Sequence, residues 1–442
     1  MLLGTAGAGA PSRAGDGPTV LDSGREAYSR PSPLLLPERL PEFFRGRGLF
    51  RQSWMIPPAE AVESAGLGPL YNRISCSACH LKNARGKPPD GPADEAGGLL
   101  IRLSLSGRAE HGGPRPHPAY GDQLQNHAVP GVPEEGRIAI EYREFPVTLA
   151  DGEVVWLRQP KILLHDLHYG PLGEDVLLSA RVGPALVGLG LLEAVSEPTL
   201  LALERRPKRD GIRGHVNWVW DAVARRTAIG RFGHKANVPN LPQQVASAFL
   251  GDLGITSELF PEGPCTAVQQ ACRWAAASGR HPELDRAQFQ SIVLYVRSLA
   301  VPARRHGDDP EVVRGEAIFR AIGCNECHLD TLTTGPSAPL PELSNQTIHP
   351  YTDLLVHDLG PGLADGRPDF LAGPGEWRTA PLWGLGLAAA IAEHTTLLHD
   401  GRARTVLEAL LWHGGEAATA RDRVIGLGQA DRRALLRFLD AL

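Results

Sequence analysis

Two five-residue segments of this chain carry the same reactive side chains at the same spacing: Cys76-Ser77-Ala78-Cys79-His80 and Cys324-Asn325-Glu326-Cys327-His328. Two thiols one helical turn apart can add to the two vinyl groups on one edge of a haem. The adjoining histidine then reaches the iron as proximal ligand. C-x-x-C-H is thus the signature of a covalently attached c-type haem. Two copies predict two such haems, with His80 and His328 on the irons. A zinc knuckle or a thioredoxin-like pair also uses C-x-x-C, but neither needs the following histidine, and neither pair sits in a strand–helix–strand pattern.

Four of the six cysteines are used in this way. The other two, Cys265 and Cys272, lie seven positions apart in a Gly/Pro/Ala-rich segment. In an oxidising compartment they would form a local disulfide; the alternative is two unlinked buried thiols. Haem attachment to C-x-x-C-H takes place outside the cytoplasm, so the chain is expected to be exported and periplasmic. Its first ten residues have no basic flank and too short an apolar core for a complete signal peptide, and read as the tail end of one. A net charge of -5 and a pI near 6.4 argue against a nucleic-acid partner or a polybasic membrane patch. No transmembrane segment is expected, because the most apolar stretch, Val176 to Val195, is broken by Arg181, Glu193 and several glycines.

The elements that must position these groups read as two halves. Residues 1–40 are rich in Gly, Pro, Ser and Arg without periodicity, an extended N-terminal tail. Residues 41–303 form the first haem domain and 308–442 the second, with a polar linker near Val301 to Asp309 between them. Leu70, Tyr71 and Ile74 before Cys76 match Ile318, Phe319 and Ile322 before Cys324, each set read as one face of a short helix. An amphipathic helix closes each half, through Phe289, Ile292, Val293 and Val296 in the first and Leu435, Leu436 and Leu439 in the second. Such a crossed pair predicts a mainly α protein of two cytochrome c-like haem domains. The first would carry a long insertion with a small β-hairpin, Arg137 to Tyr142 against Glu153 to Lys161, turned at Asp151-Gly152. The stretch Val216 to Leu250 reads mostly helical.

Four further segments carry a family resemblance: G-L-G-P-L-Y-N-R-I-S-C-S-A-C-H (66–80), Y-G-D-Q-L-Q-N-H-A-V-P-G (120–131), P-Y-T-D-L-L-V-H-D-L-G-P-G-L-A-D (350–365) and L-L-H-D-G-R-A-R-T-V-L-E-A-L-L-W-H-G-G-E-A (397–417). With them the chain, from about Leu21 to its end, resembles the di-haem oxidoreductase family, whose members carry the labels peroxidase and thiol oxidoreductase. More distantly, its C-terminal half is similar to the electron-transfer half of bacterial di-haem cytochrome c peroxidases. In those proteins a His-Asp-Gly turn is followed, fourteen positions after its histidine, by the sixth ligand of the C-terminal haem. Here the turn is His399-Asp400-Gly401 and the position is His413, with Thr405 placed to cap its helix. Apart from Met1, the only methionine is Met55, which precedes both attachment signals, so the usual methionine ligand is missing. The resemblance therefore implies His328 and His413 on the C-terminal iron. The alternative for His413 is a surface or capping histidine.

The same resemblance makes the N-terminal haem the substrate site. Peroxide cleavage needs a base that shuttles a proton between the two oxygens and a donor that polarises the bond. Gln123, Gln125, His127, Glu134 and Glu135 are the available groups, and Gln125, His127 and Glu135 are the catalytic candidates. His127 could serve as a proton shuttle or as a displaceable sixth ligand; all could equally be loop residues satisfying backbone groups. Arg378 and Arg402 would suit haem propionates, or stand in solvent. Trp218, Trp220, Trp383 and Trp412 could relay electrons or simply fill core. Glu204 to Gly211, where related sequences often hold an acidic loop resembling a calcium site, has four basic residues here and predicts no calcium.

The function these readings imply is a periplasmic di-haem oxidoreductase, peroxidase-like, passing electrons from the C-terminal haem to a substrate-binding N-terminal haem. Its partners would be a small periplasmic electron donor or acceptor protein and hydrogen peroxide or another small molecule. The competing reading is a non-enzymatic electron carrier serving another redox or iron-uptake system. Thiol oxidation rests on the family label alone, since Cys265 and Cys272 lack the C-x-x-C poise.

Overall fold

The computed structural model describes residues 17–58, 64–277 and 282–442. The expectation of a mainly α protein of cytochrome c-like domains does not hold: the chain is 33% helical and 20% strand, the strands spread over many small sheets. The expected first-half helix through Leu70 and Tyr71 is a short strand paired with His127–Ala128. Val216 to Leu250 opens with a hairpin, Trp218–Asp221 against Arg226–Ile229, and only then enters the helix Leu241–Leu253. Leu99–Arg108 pairs antiparallel with Val176–Val182 across a long stretch of chain. Its alternation of buried Leu99, Ile101 and Leu103 is the period of a half-buried strand.

Two helix crossings do recur. Leu40–Arg51 packs on Arg286–Arg297, and Pro310–Ala321 packs on Gln429–Ala441. Each crossing is closed by a glycine. A Cβ on Gly46 would lie 2.0 Å from the Ser291 carbonyl oxygen, and one on Gly315 would lie 2.0 Å from that of Ala434. Only a residue without a side chain lets the backbones come this close.

The expected hairpin is present and longer than its alternation suggested. Arg137–Thr148 pairs in register with Val154–His165 from Arg137↔His165 to Thr148↔Val154. Ile138 and Ile140 at its base are buried together with Ile101 and Leu103 of the neighbouring sheet. Its tip packs Leu149 and Leu157 against Leu411 and Trp412. Arg432 clamps the turn, with Nη2 2.7 Å from Asp151 Oδ2 and 2.5 Å from Glu153 Oε2.

Residues 1–16 of the expected tail, including the signal-peptide remnant, lie outside the described residues. From Gly17 on, the lead-in belongs to the folded body: Thr19–Val20 pairs with Val301–Pro302, and Tyr28 is buried with its hydroxyl on the Gly384 carbonyl. The largest apolar core draws on residues from both sides of the 303–308 linker, Ile292 and Tyr295 together with Leu340, Trp383 and Ile391. No helix among the described residues is long and apolar enough to cross a membrane.

Candidate haem sites

The N-terminal site begins with a one-turn helix, Cys76–Cys79, whose N-cap Ser75 accepts a hydrogen bond from the Ser77 amide at 3.2 Å. A single turn is what sets the two thiols side by side. Burial pushes both thiols up to about 12. Cys79 and His80 line a cavity of about 440 Å³. Burial lowers His80 to about 4, which leaves it the neutral imidazole that a metal requires. Its ring is held against backbone: a Cβ on Gly183 would lie 2.6 Å from His80 Cε1.

Part of the wall of this cavity is polar. Gln125 and Glu135, 3% and 2% exposed, both line it. Glu135 Oε2 accepts from the Gln125 amide at 2.6 Å and Oε1 from Gln269 Nε2 at 2.5 Å. Burial outweighs these bonds and raises the Glu135 carboxyl to about 8. The Gln125 side chain donates Nε2 to the Gly251 carbonyl at 2.7 Å, while its Oε1 has no partner among the described residues. Gln123 is bound to Asn72 Oδ1 and Asp252 Oδ1. His127 is not brought to the cavity wall. It stacks on Tyr71, with ring centroids 5.7 Å apart, and its Nε2 lies 3.3 Å from Arg73 Nη1. Glu134 pairs with Arg137 at the surface.

The C-terminal site follows the helix Pro310–Ala321. Gly323, at φ 95, ends it and leads into the short turn Cys324–Glu326. Cys324, Cys327, His328 and His413 all line a second cavity of about 370 Å³. His413 is the C-cap of the helix Val406–Trp412, whose N-cap Thr405 accepts from the Glu408 amide at 3.1 Å. His328 Nδ1 donates to the Tyr351 carbonyl at 2.8 Å, and His413 Nδ1 to the Ala409 carbonyl at 2.7 Å. A carbonyl can only accept, so the proton of each neutral ring sits on Nδ1 and the Nε2 lone pair is left for a metal. Burial keeps both rings neutral, His328 down to about 4. Next to Cys327, His357 is held between Asp353 at 3.0 Å and Glu416 at 2.7 Å.

The expected propionate partners divide. Arg378 lines the second cavity, where burial lowers its guanidinium to about 10, with Nε on the Gly233 carbonyl at 3.0 Å. Arg402 is already occupied: Asp400 takes it in a fork at 2.7 and 2.8 Å, and its guanidinium lies over the Trp412 ring. Arg85, which gave no signal in the sequence, lines the second cavity with Nε and Nη2 buried and unpartnered among the described residues. A buried cation of this kind calls for an anion in the space it faces. His234, equally silent in the sequence, lines both cavities and donates Nε2 to the Val182 carbonyl at 2.7 Å. His80 also lines both. Of the expected tryptophans only Trp383 lines either of these two cavities. Trp220 stacks on His111, and Trp218 is exposed. Trp377, passed over in the sequence, stacks on His399 at 3.7 Å in the second cavity's wall.

This arrangement can hold two flat, anionic, iron-bearing groups. A family model described as "Di-haem oxidoreductase, putative peroxidase" matches residues 10–442. The chain belongs to the di-haem oxidoreductase family. The donor sets fit the family's haems: two cysteines at each attachment turn, neutral His328 and His413 with open Nε2 atoms, and two unpartnered nitrogens of Arg85 in the lining of the second cavity. No curated protein matches the chain. Among solved structures, a chain of Kuenenia stuttgartiensis hydrazine synthase under 20 bar of xenon is 14% identical. It covers 100% of this chain and 98% of its own, at a TM-score of 0.35, too low to carry any argument.

The basic segment Glu204 to Gly211 is engaged with the C-terminal attachment loop. Arg206 and Arg209 pair with Glu326, and Asp210 pairs with Arg423. Cys265 and Cys272 form the expected disulfide.

Proposed function

We propose that this oxidoreductase is a periplasmic di-haem peroxidase. Cys76 and Cys79 would hold the N-terminal haem by thioethers, with His80 as the histidine available to its iron. Cys324 and Cys327 would hold the C-terminal one, with His328 and His413 as the histidines available to its iron. Electrons from a small donor protein enter at the C-terminal side and are spent at the N-terminal side: hydrogen peroxide, two electrons and two protons give two waters. The haem irons, when bound, supply the electron storage and the Lewis-acid position for peroxide.

The observation that carries this reading is the buried carboxyl of Glu135 in the cavity beside His80, poised near 8. A carboxylate there takes the first proton of peroxide and returns it to the departing oxygen, a role suited to a pKa near the working pH. Gln125 Oε1, unpartnered in the same wall, accepts a hydrogen bond from the bound peroxide and orients it. His80, neutral and packed against Gly183, serves as a fixed proximal base. The disulfide and the two attachment signals support a location outside the cytoplasm.

The test is oxidation of a reduced donor by peroxide, with electron paramagnetic resonance of the oxidised and half-reduced protein. Turnover with a high-spin signal at one haem supports the peroxidase. Two low-spin haems in both states, with no response to peroxide, would identify an electron carrier instead.

A further inference from the structure

Glu135 is held from behind by a residue that lines neither haem cavity. Gln269 is fully buried. Its Nε2 donates to Glu135 Oε1 at 2.5 Å and to the Ala119 carbonyl at 3.1 Å, and its Oε1 accepts from the Thr266 amide at 2.7 Å. The amide is thus satisfied on both ends and fixed in orientation, so that a donor faces the carboxylate. Gln269 lies inside the loop closed by the Cys265–Cys272 disulfide, and Thr266 Oγ1 ties the same loop to the Ala119 carbonyl at 3.2 Å. Pro264, just before the disulfide, lines the Glu135 cavity itself.

We infer that Gln269 is the positioning residue for Glu135, and that the Cys265–Cys272 disulfide keeps it in place. The inference rests on the proposed role of Glu135, and it adds a structural dependence of that role on a covalent link at the protein's edge. The second residue on the link, Cys272, is fully buried, while the helix that contains it, Gln270–Ala277, exposes Trp274. The disulfide joins this outer helix to the inner wall. Gln269 donates to the carboxylate and so favours its charged form against burial. Of the neighbouring titratable groups, Tyr120 and Tyr169 give their hydroxyl protons to the Gly170 and Pro133 carbonyls and Asp122 pairs with Arg102, so none replaces that donor.

Two perturbations of the holoprotein test this. In one, Gln269→Leu removes the donor. In the other, a dithiol reductant opens the disulfide of the unaltered chain, one disulfide and one dithiol giving two thiols and an oxidised dithiol. The readout is the infrared C=O band of the protonated Glu135 carboxyl against pH, assigned by its loss in Glu135→Gln. This readout does not require turnover. Both perturbations are expected to move the titration upward by about one pH unit or more. The same shift is expected in the pH profile of peroxide turnover. An unchanged titration in Gln269→Leu would overturn the positioning role, and a shift there but none on reduction would overturn the role of the disulfide. Absence of peroxide turnover in the unaltered protein would count against the peroxidase reading alone, because the infrared titration still decides this one.

Discussion

His328 and His413 line one cavity while their Nδ1 atoms are both committed to backbone carbonyls, those of Tyr351 and Ala409. Each ring therefore offers Nε2, and under the proposed function the two would hold the C-terminal iron. Replacing His413 with Ala should convert one haem of two from a six-coordinate low-spin spectrum to a high-spin one and leave the other unchanged. His413→Met should restore low spin at a higher reduction potential, because thioether ligation favours the reduced iron. Resonance and visible spectra check both variants. A spectrum unchanged at both haems would remove His413 from the iron.

Glu135 titrates near 8 because burial penalises its charge. As a base it must be ionised, so peroxide turnover should climb with pH and level off above about 8. Glu135→Gln should lose that limb and fall roughly 10²- to 10⁴-fold in rate. Stability runs the other way. The folded protein holds this proton up to about 8, whereas the unfolded chain releases it near 4.5. The favourable contribution is complete below 4.5 and is lost as pH rises to about 8. Glu135→Gln should accordingly melt higher than the parent at pH 8 and show little difference at pH 4, as thermal unfolding across pH would reveal.

Two nitrogens of Arg85 are buried and unpartnered among the described residues, and burial lowers its guanidinium to about 10. A haem propionate in the cavity would meet that charge. Arg85→Leu should then lower the reduction potential of the affected haem in a redox titration, since a nearby cation is lost. A variant that melts higher than the parent with its potential unchanged would mean that no anion faces Arg85.

Gly46 and Gly315 each let two helices meet at backbone contact. Gly46→Ala and Gly315→Ala should each destabilise the protein by about 1–3 kcal/mol, since neither crossing has room for a methyl group. Denaturant unfolding measures this. A neutral effect at either position would show that the helices can part without cost.

What the sequence made legible were features set by neighbours in the chain. The attachment turns, the Asp-Gly hairpin turn, the Thr405 cap and the 265–272 disulfide all close within a dozen residues or so. The strands from Leu99 and Val176 are partners that lie far apart in the chain, and two-residue strands such as Leu70–Tyr71 have no period of their own. Periodicity alone therefore favours helix where the chain forms short strands. The site divides in the same way. Gln125 and Glu135 were in reach as polar groups following His80, and they do meet in one cavity wall. Arg85, His234 and Gln269 owe their roles to burial and to partners brought from elsewhere. For Gln269 alone a signal existed, its place between two cysteines that had no haem to bind.

The hairpin 137–165 has a consequence for how this protein can change its length. Its strands run twelve residues, roughly 40 Å at the usual rise, from just beyond Glu135 to the turn gripped by Arg432. Both ends are anchored, so the hairpin acts as a ruler between the cavity wall of Gln125 and Glu135 and the helix Val406–Trp412. A one-residue slip of the register would turn Ile138 and Ile140 out to solvent, so an added residue is tolerated only as a local bulge. Lengthening of both strands would pull the turn off Arg432. Descendants of this chain should therefore vary freely in their surface loops while keeping this one distance constant.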